Sequence, residues 1–166
     1  MSPQALQNWL AGLLSYDGAL PDDVQRDVRT AILRLGDHRE LSLLYFRVLI
    51  RHMIDIRAEL ADWIVPNWAF TTLPNRPEAH TWNYYVYLAS FGDQNAYDKL
   101  ASRAAQETSG NLALGLYDSL YKLNTPQARE ILERHRDDER QIISPDGQKS
   151  PLGELIALKL DLGTWE

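Results

Sequence analysis

The apolar residues of this chain recur mostly at the three-to-four-residue spacing of an amphipathic α-helix. The clearest stripes are Val24, Val28, Ile32 and Leu35, then Ala96, Leu100 and Ala104, then Leu112, Leu116, Leu120 and Leu123. From residue 41 to 50 the chain is apolar on almost every side, which predicts a buried central helix. Sustained strand-like alternation is missing, although residues 84–87 have high strand propensity. The pattern therefore predicts an all-α protein.

Prolines and hydroxyl residues mark where these helices begin. Three pairs each place a capping hydroxyl before a first-turn proline: Ser2-Pro3, Thr125-Pro126 and Ser150-Pro151. Together with the apolar spacing, they predict helices over 3–15, 22–35, 38–62, 77–91, 94–107, 111–123, 126–139 and 151–162. Residues 144–147, with the sequence Ser-Pro-Asp-Gly, predict a turn. The length of 166 residues suits one domain, so we expect a single helical domain over residues 1–166.

Helix–turn–helix joints of one kind recur along the chain. In each, an apolar helix end meets a residue that tolerates a left-handed backbone, and an N-capping residue follows: Gly36-Asp37, Gly92-Asp93 and Asn124-Thr125. These joints resemble those of HEAT-like repeats, especially the short phycobilisome-lyase type, over about residues 20–140. The resemblance implies a right-handed α-solenoid of about three to four helical hairpins, with roughly eight helices. The alternative is an irregular helical bundle with generic Gly-Asp stops.

Composition and charge exclude several classes of protein. The net charge is −6 and no run of Lys or Arg occurs, which argues against a nucleic-acid partner and suits a basic protein partner. The chain has no cysteine, so disulfides and thiolate metal sites are excluded. We find no signal peptide and no apolar stretch long enough to span a membrane, and we therefore expect a cytoplasmic protein without a membrane partner.

The histidines do not form a recognisable metal site. None of His38, His52, His80 and His135 lies in a known zinc or di-iron motif. His52 and Asp55 share a face of the predicted third helix and could supply two ligands, although helical spacing often produces such pairs by chance. His135 lies on an apolar stripe and is expected to be partly buried. Nucleotide-binding and nucleophile motifs are missing too, so we predict no cofactor and no metal and lean against an enzyme.

Charged residues concentrate in two places. Asp55, Glu59 and Asp62 would share one face of the predicted third helix, either as a solvated surface paired with nearby arginines or as a surface for a basic partner. The charged run 133–140 is interpreted as an exposed helix end.

The most unusual region is rich in aromatic residues. Residues 63–91 contain Trp63, Trp68, Phe70, Trp82, Tyr84, Tyr85, Tyr87 and Phe91, and a proline-containing loop at 64–76 runs among them. They are either core residues or a recognition patch, because Trp and Tyr provide large contact area at low entropic cost. We favour the patch and predict a partner-binding site formed by Trp63, Trp68, Phe70, Trp82, Tyr85, Asp55, Glu59 and Asp62.

The favoured function is a non-catalytic protein-binding scaffold. Small, acidic, cysteine-free helical domains resemble bacterial immunity proteins, which inhibit a cognate toxin by covering its active site. That resemblance implies a basic toxin or enzyme as the partner. One alternative is a small-ligand-binding or lyase-type HEAT-like protein with an aromatic pocket. Another is a structural adaptor or homodimer that associates through the same patch.

Overall fold

The computed structural model of the protein describes residues 2–34, 42–60 and 79–162. These residues are mostly helical and include one small two-stranded sheet. In chain order the elements are α1 (Pro3–Leu14), α2 (Asp22–Arg34), α3 (Ser42–Arg51), α4 (Ala79–Ser90), α5 (Gln94–Gln106), α6 (Gly110–Leu123), α7 (Pro126–Glu133), β1 (Gln141–Ile143), β2 (Lys149–Pro151) and α8 (Leu152–Asp161). The predicted all-α character is confirmed apart from the sheet, whereas the solenoid arrangement stays a prediction.

The chain packs as two compact units, Met1–Leu88 and Ala89–Glu166, each with its own core. In the first unit α1 packs against α3, and its fully buried side chains include Leu6, Leu10, Tyr45, Leu49, Ile54, Ile56, Leu60 and Tyr87. In the second unit α6 packs against α5, α7 and α8 around Tyr97, Leu100, Tyr117, Leu120 and Ile156. The expectation of a single domain over residues 1–166 stays a prediction.

Two of the three predicted joints have the expected local geometry. Gly92 has φ 82° and Asn124 has φ 52°, both left-handed. The Asp93 carboxylate accepts a hydrogen bond from the Ala96 N–H at 2.9 Å and so caps α5, as predicted for an N-cap residue. The Thr125 hydroxyl caps α7 in the same way. Ser2 likewise caps α1, whereas the first joint, at residues 36 and 37, lies outside the described residues.

The predicted third helix, 38–62, is wrong as one continuous element. Helix α3 ends at Arg51, and Met53 adopts a left-handed backbone with φ 50°. The Ile54 N–H donates to the Leu49 carbonyl at 2.9 Å, and the Met53 N–H donates to the Ile50 carbonyl at 3.2 Å. This pair of bonds is a Schellman motif, which ends a helix by satisfying its last carbonyls. Helical structure resumes at residues 57–60.

The alternation of Ile54, Asp55 and Ile56 explains why the helix cannot continue. Both isoleucines are buried, while Asp55 between them is exposed. Residues two apart point to nearly opposite sides of an α-helix but to the same side of an extended chain. Burial of both isoleucines therefore requires the extended conformation. This short strand-like alternation was overlooked because it lies next to a longer helical pattern.

The predicted cap at Ser150-Pro151 is wrong, although the last helix starts within one residue of its predicted position. Both residues belong to β2, which pairs antiparallel with β1 in the register Ile142↔Ser150, and α8 begins at Leu152 without a side-chain cap. The predicted turn at 144–147 is confirmed as the hairpin loop. The Gly147 N–H donates to the Ser144 carbonyl at 2.9 Å, and Gly147 has φ 84°. Strands of three residues are too short to give a sequence pattern of their own.

Strand β1 lies directly against the start of α6. The Asn111 side chain pairs with Ile143, accepting from its N–H and donating to its carbonyl, both at 2.8 Å. Gly110 lies so close to β1 that a Cβ at this position would overlap the carbonyl oxygen of Gln141. The Asn111 amide thus bonds to β1 as a neighbouring strand would, and Gly110 permits the close approach of α6 to β1.

The predicted stripe of α6, Leu112, Leu116, Leu120 and Leu123, is confirmed as buried only at Leu120. The buried positions are Gly110, Ala113, Tyr117 and Leu120, whereas Leu112 is 62% exposed. Gly110 lies directly against β1, where a larger side chain would not fit. The stripe of Ala96, Leu100 and Ala104 in α5 is confirmed as buried. No helix in ranges 2–34, 42–60 and 79–162 is long and apolar enough to cross a lipid bilayer.

Candidate partner-binding site

Half of the predicted site residues fall where the structure describes the chain. Trp82 and Tyr85 lie on α4, Asp55 lies in the extended segment after α3, and Glu59 lies in the helical residues 57–60. The remaining residues lie outside the described ranges: Asp62, Trp63, Trp68 and Phe70. The assignment of these eight residues to one site stays a prediction.

Helix α4 divides its aromatic residues between core and surface. Tyr84 and Tyr87 are buried, and the Phe46 ring packs against both of them with centroid distances of 6.1 and 5.6 Å. Trp82 and Tyr85 are only partly buried, and their ring centroids lie 5.7 Å apart at an interplanar angle of 39°. Tyr84 and Tyr87 are thus core residues, whereas the recognition patch stays a prediction. The partly exposed pair is one turn apart and already in ring contact.

The buried Tyr87 hydroxyl holds the extended segment in place. It donates to the Ile54 carbonyl at 3.0 Å and accepts from the Ile56 N–H at 2.9 Å. These are backbone groups that no helix or strand satisfies, so the hydroxyl replaces the missing backbone partner. Burial raises the pKa of Tyr87 to about 12, which keeps the hydroxyl protonated and able to donate. Tyr87 thereby fixes the backbone on which Asp55 is displayed.

Asp55 is an exposed carboxylate that stays ionised to low pH. Both of its oxygens contact the Arg57 guanidinium, at 2.9 and 2.8 Å, and it also accepts from the Arg57 N–H at 3.1 Å. These hydrogen bonds lower the pKa of Asp55 to about 2. Glu59 is exposed as well. The prediction that Asp55 and Glu59 share one face of a long third helix is wrong, because α3 ends at Arg51, before both residues.

His52 and His135 both make contacts within the protein that do not suggest metal binding. His52 Nε2 lies 2.8 Å from the Leu13 carbonyl oxygen, and since α3 ends at Arg51 it does not share a helix face with Asp55. His135 is partly buried as predicted, with its ring 5.0 Å from that of Tyr117, and burial lowers its pKa. Among the described residues, no group of three His, Cys, Asp or Glu is placed to hold a metal ion. His38 and the side chain of His80 lie outside them.

The charged run 133–140 is not the exposed helix end that the sequence suggested. Helix α7 ends at Glu133, and Arg140 turns inward to donate to the Ala104 carbonyl at 2.6 Å and to the Glu107 carbonyl. These carbonyls lie at the C-terminal end of α5, where a cation is favoured by the helix dipole. Arg140 also donates to the Tyr117 hydroxyl at 3.1 Å.

Asp138 completes this polar cluster. Its carboxylate is bound to Arg140, and its side chain is only 8% exposed. Arg140 lowers the pKa of Asp138 by hydrogen bonding directly to the carboxylate. All of these contacts are internal to the second unit, so we interpret the cluster as structural. It was missed because the sequence run is uniformly charged and shows no apolar position that would indicate burial.

Comparison with known proteins gives no match: no protein family, no curated protein and no solved structure is similar to this chain.

Proposed function

We propose that the protein is a non-catalytic scaffold that binds a basic partner protein, in the manner of an inhibitor that covers the partner's active site. The partner-binding site comprises Trp82 and Tyr85, the acids Asp55 and Glu59, and the predicted residues of the segment 61–78. The HEAT-like hairpin solenoid belongs to this proposal as the scaffold. Its support is the local geometry of the joints at Gly92 and Asn124.

The division of aromatic residues on α4 is the main support for this proposal. Tyr84 and Tyr87 supply the buried rings of α4, whereas Trp82 and Tyr85 are partly exposed and their rings lie 5.7 Å apart. Two aromatic rings already held together lose little conformational entropy on binding, which is why Trp and Tyr dominate binding hot spots. The net charge of −6 adds electrostatic steering toward a basic partner.

The test is an affinity pull-down with the tagged full-length chain from its native lysate, followed by mass spectrometry. We expect one stoichiometric basic protein that is lost when Trp82 is replaced by Ala. The matched control is Trp9→Ala, since Trp9 is also a partly buried tryptophan of the first unit but lies on α1. Binding unaffected by Trp82→Ala, or equally reduced by both variants, would argue against this site. An empty pull-down with folded protein would favour the small-ligand alternative.

A further inference from the structure

The sequence Asp-Gly occurs twice in the chain, at Asp17-Gly18 and at Asp146-Gly147. This dipeptide can rearrange without an enzyme, because the backbone nitrogen of the glycine can attack the side-chain carboxyl carbon of the aspartate. Glycine favours the attack, since it has no Cβ to obstruct the approach. The two dipeptides are identical, so the surrounding structure decides which of them reacts.

The hairpin loop restrains both reacting groups at Asp146-Gly147. The Gly147 N–H donates to the Ser144 carbonyl at 2.9 Å, which holds the attacking nitrogen in the turn. The Asp146 carboxylate accepts from the Ser144 hydroxyl and from the Gln148 N–H, the latter at 3.5 Å. Hydrogen bonding from the Ser144 hydroxyl lowers the pKa of Asp146, and an ionised carboxylate is a poor electrophile. The Ser144 N–H also donates to the Gln148 carbonyl at 2.9 Å and so closes the loop.

The same groups are less restrained at Asp17-Gly18, which lies in the exposed loop between α1 and α2. Gly18 has φ 114°, a backbone that glycine adopts far more easily than other residues, and a Cβ there would meet open space. In the part of the chain that the structure describes, no group accepts a hydrogen bond from the Gly18 N–H. The attacking nitrogen therefore lacks the turn bond that holds its counterpart in Gly147.

The Asp17 side chain is restrained by a contact with Arg51. The guanidinium donates to Asp17 Oδ1 at 2.9 Å and to the Tyr16 carbonyl at 3.4 Å. The side chain of Asp17 is 95% exposed and that of Arg51 is 44% exposed, and an ion pair so accessible to water contributes little. Rotation of the Asp17 carboxyl group toward the Gly18 nitrogen therefore meets little resistance.

We propose that Asp17-Gly18 is a site of spontaneous isoaspartate formation, whereas the hairpin loop protects Asp146-Gly147. The Gly18 nitrogen forms a bond to Cγ of the protonated Asp17 carboxyl group, whose hydroxyl leaves as water with the proton of the Gly18 N–H. The product is a cyclic imide. Water then adds to the backbone carbonyl carbon of Asp17 and breaks its bond to nitrogen, so the main chain continues through Cβ and Cγ. One water leaves and one is added, so the mass does not change and no other reagent is consumed.

The rearrangement alters the connection between α1 and α2. It adds one atom to the main chain and places the free carboxylate directly on Cα of residue 17, one methylene closer to the backbone. We expect the bond from Arg51 to be lost, and with it a contact between the end of α1 and the end of α3. This change concerns the first unit and does not depend on the proposed function.

The test is prolonged incubation of the full-length chain in neutral buffer below its Tm, followed by trypsin digestion and mass spectrometry. Electron-transfer fragmentation distinguishes isoaspartate from aspartate, and Asp17 and Asp146 lie in separate tryptic peptides, 1–26 and 141–149. In the folded protein we expect isoaspartate to accumulate at least tenfold faster at Asp17 than at Asp146. In urea the two rates should become similar, because denaturation removes the bonds of the hairpin loop.

Asp17→Asn and Asp146→Asn form a matched pair of variants. Asparagine closes the same ring with loss of ammonia, and the resulting mass change is visible in the intact protein. We expect Asp17→Asn to deamidate at least tenfold faster than Asp146→Asn while both are folded. Incubation continues until the urea-denatured chain has reacted at both positions. Equal rates in the folded protein, a faster reaction at residue 146, or no reaction at residue 17 would each overturn the proposal.

Discussion

Replacing Tyr87 with Phe removes one oxygen atom and leaves two buried backbone groups without their partner. The hydroxyl bonds to the Ile54 carbonyl and the Ile56 N–H, and all three residues are at most 1% exposed. A typical intramolecular hydrogen bond contributes about 1 kcal/mol, and an unsatisfied buried group costs about 1–3 kcal/mol. Because water cannot easily reach these groups, we expect Tyr87→Phe to lower the free energy of unfolding by about 2–4 kcal/mol.

Urea denaturation followed by circular dichroism measures this loss, and Tyr97→Phe is the matched control. Among residues 2–34, 42–60 and 79–162, the Tyr97 hydroxyl bonds to the Thr125 hydroxyl alone, at 2.7 Å, and Thr125 keeps its bond to the Ala128 N–H. The control should therefore lose only about 1 kcal/mol. A loss below about 0.5 kcal/mol for Tyr87→Phe, or one no larger than the control's, would refute the role of Tyr87 in holding the extended segment.

The raised pKa of Tyr87 gives the same residue an alkaline test. Its pKa is 10.0 in the unfolded chain and about 12 in the folded protein, so the folded state resists ionisation. This contribution to stability is complete below pH 10 and is lost as the pH rises through about 12. Stability measured across this range should fall less steeply for Tyr87→Phe than for the parent. Equal slopes would contradict the buried, protonated hydroxyl.

Two predictions concern the second unit. Gly110→Ala should destabilise the protein by about 2–3 kcal/mol because its Cβ would overlap the Gln141 carbonyl. Gly115 lies on the same helix with open space around it, so Gly115→Ala should stabilise the protein by about 0.5–1 kcal/mol. Thermal unfolding compares the two variants, and equal effects would contradict the close approach of α6 and β1. Arg140→Lys should destabilise by about 2 kcal/mol in urea, because lysine cannot bind the Ala104 carbonyl and Asp138 together, and a neutral effect would mean that the cluster is not structural.

Signals that act within a few residues could be read from the sequence. The caps at Ser2, Asp93 and Thr125, and the left-handed Gly92 and Asn124, were predicted correctly. The hairpin turn at 144–147 belongs to the same class. In each case a side chain or a permissive backbone satisfies hydrogen bonds of its immediate neighbours, so the local sequence is sufficient.

The candidate site could be predicted only as a list of residue types. Its aromatic and acidic composition was visible, but which rings face outward was not. Helix α4 has aromatic residues at successive positions, so its periodicity does not separate Tyr84 and Tyr87 from Trp82 and Tyr85. Packing of the Phe46 ring against the inward pair makes that choice. The exposed, left-handed Met53 was missed altogether, because it depends on the end of α3, which the sequence placed further along the chain.

The sequence by itself determined the helical class, most helix boundaries, and the acidic, cysteine-free character of this protein. The tertiary structure decided where α3 breaks, how the short hairpin forms and which charges are buried. The physical reason is that distant residues supply the deciding bonds: Tyr87 holds a backbone segment 33 residues away at Ile54, and Arg140 caps a helix 36 residues away at Ala104. At such positions the local sequence is compatible with several conformations, and only the bonding partner across the fold selects one of them.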